Sequence, residues 1–211
     1  MPQCFTRSLC CALLVAPLAL VQAAQLNAVV AGSDGKPLVD AVVYLLSQRE
    51  GVTLPKPKDT NIDQVNVTFV PLVSVLQTGT AVHFPNSDNI RHQVYSFSPA
   101  KTFTLKLYSG KPSSPVVFDK PGTVTLGCNI HDQMVAWVLV VDTNLFAKTD
   151  ANGKLSIKNI PEGEYWLQAW HPSIRKPFDK QPLAVDAIAT VDKTLTLDAL
   201  PIAPINHAAA H

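Results

Sequence analysis

The chain has 211 residues, with 17 Lys+Arg against 16 Asp+Glu and a formal net charge of +1 when histidine is neutral. So even a balance excludes the basic footprint of a nucleic-acid binder or of a protein held on an anionic membrane surface. Frequent proline and an apolar content rich in Val and Leu favour strands and turns over helices, and the length suits one or two domains.

Residues 1–24 read as a secretory signal peptide. Arg7 supplies the positive start, LCCALLVAPLALV is an apolar run too short to span a bilayer, and Val21-Gln22-Ala23 fits small-residue cleavage near 23–24. Cys4, Cys10 and Cys11 lie before or inside that run, so a lipid anchor after it is not expected. Cleavage removes Arg7, which equalises the two charge types, and leaves Cys128 as the sole cysteine. No second apolar run approaches membrane-spanning length. The expected product is exported to the periplasm, with no membrane insertion and no nucleic-acid partner.

Two apolar runs of strand length come next, LNAVVA (26–31) and AVVYLL (41–46). They flank SDGKPLVD, where Asp34-Gly35 signals a turn. The polar, proline-bearing SQREGVTLPKPKDTN is a linker or long loop, so 25–61 is a hairpin plus linker. From Ile62 short strands crowd together: Val65, Val67 and Phe69 alternate with polar residues, as do Val73 and Val75, then Thr80, Val82 and Phe84. Further strands are expected at 93–97, 102–108, 115–118, 123–127 and 134–141, each bounded by Pro, Gly, Asn or Ser. Such spacing means a β-sandwich or barrel over about 62–143. A turn at Thr149–Gly153 opens another β unit over 144–199, with LSIKNI, YWLQAW and a last strand near 185–197. Tyr165, Leu167 and Ala169 should share one face, and Trp166, Gln168 and Trp170 the other. Residues 200–211 read as a flexible tail. No amphipathic helix of useful length is evident; the fold class is all-β with two modules.

The chemistry concentrates in GCNIHDQMVAW, residues 127–137. Cys128, His131 and Met134 stand three residues apart, and Met134 is the only methionine after the initiator. A lone cysteine is by default a small buried apolar residue, yet an unpaired thiol in an oxidising compartment invites oxidation unless it has a use. Soft sulfur donors with imidazole suit copper, and two histidines, one thiolate and a weak axial methionine make a blue-copper site. His92 is the second histidine. It lies in FPNSDNIRHQV, a turn-rich loop between two expected strands, which a sandwich could bring beside the Cys128 loop.

VNVTFVPLVSVLQTGTAVHFPNSDNIRHQV followed by PGTVTLGCNIHDQMVAWVLVVD resembles the cupredoxins, the plastocyanin, amicyanin and pseudoazurin family, over about residues 62–143. The Cys-x₂-His-x₂-Met spacing is most similar to amicyanin. The resemblance implies a Greek-key β-sandwich and one type 1 copper. His92 and His131 would bind it through nitrogen, Cys128 as thiolate and Met134 as a long axial contact, with His131 near the surface as the electron exit. Gln93 departs from the Asn that many members place after the first histidine, which questions the usual bond between ligand loops. Bonds to the sulfur could come from amides around Asn129–His131 or from the loop near Asn86.

Other candidates are weaker. His83 should point away from a core-facing Phe84. His171 sits at a strand end beside Trp166 and Trp170, which read as packing residues. His207 and His211 belong to the tail, and Asp132 is a solvated loop residue. Asn66-Val67-Thr68 matches a glycosylation sequon but lies in an expected strand. Multicopper oxidases need His-x-His pairs and a dinuclear purple centre needs two cysteines. Neither occurs after cleavage, so an enzyme is not expected.

TDANGKLSIKNIPEGEYWLQAWHP resembles the carboxypeptidase regulatory-like (transthyretin-like) β-sandwich, and LNAVVAGSDGKPLVDAVVYLL resembles its first hairpin. Either the cupredoxin is inserted into this smaller sandwich, which we favour, or 26–46 extends the cupredoxin sheet. The whole resembles bacterial exported proteins labelled methylamine-utilisation proteins, though no residue reads an amine. The function implied is single-electron transfer between redox protein partners. A copper-binding or trafficking role is the alternative, lowered by the lack of Met-rich and His-rich tracts. A surface-binding module with a vestigial site is a third.

Overall fold

The structure is a computed structural model and describes residues 23–112 and 114–202. The expected signal segment up to residue 22, with Arg7 and three cysteines, and the tail from 203, with His207 and His211, lie outside the described residues. The chain opens with β1 (Ala24–Ala31) and β2 (Val42–Ser47). It continues through β3 (Thr60–Asn61), β4 (Asp63–Val65), β5 (Thr68–Val70), β6 (Val73–Gln77), β7 (Thr80–His83) and β8 (Tyr95–Ser98). Then come β9 (Lys101–Thr104), β10 (Val116–Phe118), β11 (Gly122–Gly127) and β12 (Val135–Val141). It closes with β13 (Phe146–Lys148), β14 (Lys154–Ile160), β15 (Gly163–Trp170), β16 (Gln181–Val185) and β17 (Thr190–Thr196). The fold is all-β, with no helix among the described residues.

The first and last of the described strands belong together. β1 lies between β14, antiparallel, and β17, parallel. β2 lies between β13 and β15, with β16 beyond. Alternation explains the pairing of the two sheets: Leu26, Ala28 and Val30 of β1 are buried, as are Val43 and Leu45 of β2 and Tyr165, Leu167 and Ala169 of β15. Period-two patterning puts these on one face of each strand, and together they form one core, the outer core. On the opposite face of β15, Trp166 receives the Lys180 ammonium 4.2 Å from its ring centroid.

The strands between form a second, inner core. A five-stranded sheet, β6-β12-β11-β8-β9, and a smaller sheet, β10-β7-β3, enclose Phe69, Val82, Phe84, Phe118, Val124, Leu126 and Val138. A third cluster joins the two: Val42 from the outer strands meets Val73, Leu139 and Val141 from the inner ones, with Tyr44, Trp137, Phe146 and Trp170 around them. Lys148 Nζ crosses the same junction to the Val73 carbonyl (2.6 Å) and to Asp40 (2.5 Å). This junction corrects the alternation expected at 73–75. β6 and the end of β12 are covered on both faces, so Ser74 and Gln77 are buried and WVLVV runs apolar without a break.

Two more expectations change. The strand expected over 102–108 stops at Thr104, and Tyr108 instead exchanges two backbone hydrogen bonds with His92 (3.0 and 2.9 Å). The sequon lies mostly in a turn, with only Thr68 in a strand. Asn66 (φ 52°) and Val67 (φ 56°) form the two-residue turn of the β4–β5 hairpin, both in the left-handed region that suits such turns.

Candidate metal centre

β11 and β12 are antiparallel neighbours whose last ladder pair is Gly127 with Val135. Residues 128–134 are therefore one short loop, with Cys128 and Met134 at its two feet and His131 between them. The Met134 N–H donates to the His131 carbonyl (2.9 Å), which closes the loop tightly. Both feet point inward: Cys128 and Met134 are buried and pack in the inner core beside Phe84, Val94 and Leu126. Gly127 before them is close-packed for a second reason. A Cβ there would lie 2.7 Å from Tyr95 Cζ, so the Tyr95 ring covers the strand end leading into Cys128.

His92 arrives from the loop between β7 and β8 and is fully buried. Its Nδ1 lies 3.9 Å from Cys128 Sγ, and His131 Nδ1 lies 3.8 Å from the same sulfur. The two rings meet edge to face at 5.0 Å between centroids. All three donor atoms fall within 4.8 Å of one another. Metal–thiolate bonds of about 2.3 Å and metal–imidazole bonds of about 2.0 Å span gaps of this size with an ion between the donors. The donor set therefore fits a metal. Cys128 is the free cysteine among the described residues, so no disulfide competes for its sulfur.

The surroundings are asymmetric. His131 is partly exposed, between exposed Asn129, Ile130, Asp132 and Gln133. Its pKa is lowered, first by desolvation and then by the neighbouring His92, while Asp88 pulls the other way. On the His92 side the loop is held from beneath. The Asn86 side chain donates to the carbonyls of Ile90 (2.8 Å) and Tyr108 (3.0 Å), and its N–H donates to Gly110 (2.7 Å). Asn86 thus spends its own donors within the loop network. The Tyr108 hydroxyl donates to the Phe84 carbonyl (2.6 Å) and accepts from Gln64 (2.5 Å). Desolvation first, with Asp63 and Cys128 adding, pushes its phenol up to about 12 against the Gln64 bond, so it stays a neutral donor.

Asp88 was not singled out from the sequence, although it stands four residues before His92 on the same loop. Its Oδ2 lies 2.7 Å from His92 Nε2. Burial works to raise its pKa, but hydrogen bonds from the Val67 N–H, His92 and the Asn66 N–H outweigh it and hold the carboxyl below its ordinary range. Tyr108 and Gln64 were also missed, because their partners come from other strands. The remaining histidines stay apart. His83 is half-buried beside Asp59 (3.8 Å), with Phe84 facing the core. His171 is fully buried in the outer unit, donating to the Val39 carbonyl (3.2 Å) and accepting from the Ser173 N–H (3.2 Å). Asp132 is exposed.

No family model and no curated protein matches this sequence. Solved structures similar to it include a purple cupredoxin from Nitrosopumilus maritimus, at 23% identity and TM-score 0.35, covering 39% of this chain and 100% of that one. Amicyanin from Paracoccus versutus aligns at 13% identity and TM-score 0.34, over 46% and 98% of the two chains. A Cu-containing nitrite reductase from Thermus scotoductus SA-01 aligns at 22% identity and TM-score 0.38, over 46% of this chain and 25% of its own.

Proposed function

We propose that the inner sandwich holds one type 1 copper between His92, Cys128 and His131, with the Met134 thioether as a weak axial donor. In this reading the protein is exported to the periplasm and passes single electrons between redox proteins. The observation that carries the proposal is the meeting of one buried sulfur and two imidazole nitrogens, at 3.8 and 3.9 Å, with Met134 buried in the same core. Thiolate, imidazole and thioether together select copper over harder cations.

Copper supplies one-electron exchange between its two oxidation states. The residues supply the frame. Cys128 and Met134 are fixed at the feet of a hairpin, and His92 is locked by its loop, so the donors have little freedom to rearrange. Burial of His92, Cys128 and Met134 keeps bulk water from that side. His131 alone reaches toward solvent and offers the edge a partner can approach.

The test is Cu(II) titration of the folded protein followed by visible and EPR spectroscopy. An intense thiolate-to-copper absorption is expected, lost in Cys128→Ser. A colourless complex that still needs Cys128 would refute the type 1 assignment. Preferential Cu(I) binding with transfer to an acceptor, and no electron self-exchange, would move the assignment to copper trafficking.

A further inference from the structure

The β4–β5 hairpin is far from the copper ligands in sequence, yet it ends on the loop that carries His92. Its turn residues, Asn66 and Val67, present their N–H groups to one carboxylate. Asn66 N–H donates to Asp88 Oδ1 (2.6 Å) and Val67 N–H to Asp88 Oδ2 (2.9 Å). The third donor on that carboxylate is His92, through Nε2 (2.7 Å). Asp88 is itself nearly enclosed, its side chain 11% exposed. Val67 holds φ 56°, which a β-branched residue seldom adopts. That conformation turns its N–H toward Asp88, so an unfavourable backbone angle is kept where it serves this carboxylate.

The chemistry of three donors on two oxygens is restrictive. An ionised carboxylate accepts and cannot donate, so the hydrogen between Asp88 and His92 resides on Nε2. A neutral imidazole with its proton on Nε2 has a bare lone pair on Nδ1, and Nδ1 is the nitrogen facing Cys128 Sγ. We propose that Asp88 is a positioning residue for the metal centre: it fixes His92 as the Nε2–H tautomer with Nδ1 open toward Cys128, and the Asn66–Val67 turn exists to hold Asp88 in place. Carboxylate partners of this kind orient metal-binding imidazoles and raise their basicity.

Asparagine cannot substitute. An amide offers one oxygen and one NH₂ where the site demands two acceptors. With NH₂ at the Oδ2 position it faces the Val67 N–H and donates to His92 Nε2, which moves the imidazole proton to Nδ1 and closes the position facing the sulfur. With NH₂ at the Oδ1 position it opposes the Asn66 N–H, and only there does its oxygen still accept from the Val67 N–H and from His92 Nε2, so the variant mixes the two tautomers. The tautomer follows from the hydrogen bonds alone; only its consequence for copper rests on the function proposed above.

The experiment is two-bond ¹H–¹⁵N correlation of ¹⁵N-histidine-labelled, metal-free protein at alkaline pH, where an imidazole carries a single proton, with Cu(II) affinity measured alongside. The wild type should show the single His92 proton on Nε2. Val67→Gly, which relaxes the turn and keeps its N–H, should show the same. Asp88→Asn should shift His92 toward the Nδ1–H form and weaken Cu(II) binding about 10–100-fold. A single His92 proton on Nδ1 in the wild type would overturn the inference even if Asp88→Asn failed to fold. An Asp88→Asn protein with unchanged tautomer and affinity would overturn it as well. The expected tautomers in a wild type that binds no copper would uphold the role of Asp88 while sinking the copper assignment.

Discussion

Replacing Met134 by leucine separates packing from ligation. The side chain is fully buried in the inner core, next to Cys128 in the same cluster. Methionine and leucine have similar volume and neither brings a polar group, so the exchange should destabilise the metal-free protein by less than about 1.5 kcal/mol. Truncation to alanine removes the same thioether and leaves a cavity, for which about 2–5 kcal/mol is expected. If Met134 only packs, Met134→Leu should leave the copper centre unchanged. If it is an axial donor, losing its sulfur removes electron density that favours Cu(II) over Cu(I), and the reduction potential should rise. Met134→Gln supplies a harder oxygen donor, and the potential should fall. The assays are urea unfolding of the metal-free variants and redox titration of the copper-loaded ones. A leucine variant of near-native stability with wild-type spectrum and potential would refute the axial role.

Gly153 and His171 give tests in the outer unit. Gly153 sits at φ 70°, and an added Cβ would lie 2.4 Å from the Val30 carbonyl oxygen and 3.2 Å from Pro37 Cα. Left-handed strain and this backbone clash together should cost Gly153→Ala about 2–4 kcal/mol in thermal or urea unfolding; an unchanged midpoint would contradict the close approach of β1 to this turn. His171 is held neutral, its pKa lowered by desolvation against the Val39 bond and Asp40. The unfolded chain therefore binds a proton that the native one refuses. Its contribution is present above the unfolded pKa of about 6.5 and is lost as pH falls through that value toward the lower native one, at up to about 1.4 kcal/mol per pH unit. Urea unfolding of metal-free wild type and His171→Gln at several pH values should show a shallower acid-side slope in the variant. Parallel slopes would reject the assignment.

The strand pattern was legible wherever one face meets a core and the other meets water, as along β14, since alternation records that directly. It was least legible at β6 and β12, where the second face is covered by the junction and the record becomes a plain apolar run. The four candidate donors declared themselves through rarity and spacing: one cysteine beyond the expected signal segment, one methionine, a histidine between them, and another in a turn-rich loop. Asp88 did not. Its role is set by N–H groups of Asn66 and Val67, and a partnership between backbone and side chain across different hairpins leaves no periodic trace in a sequence. Tyr108 was read as part of a long strand for a related reason: its apolar neighbours suit a ladder, while its actual partner is the backbone of His92.

The route of the chain through the two cores links their folding. The chain leaves the outer sheet at Ser47 and returns at Leu145, whose carbonyl accepts from the Leu45 N–H (2.9 Å). Roughly a hundred residues are thus strung between two points held side by side. While they are unfolded, bringing those points together costs about 4 kcal/mol of loop-closure entropy plus a constant. Once the inner strands have condensed, the two ends no longer wander and most of that cost disappears. The outer sandwich, built from strands on either side of the inner ones in sequence, is thereby a latch that closes readily only over a folded interior. Whatever steadies the inner core, a bound ion included, should therefore be felt in the melting of strands that never touch it.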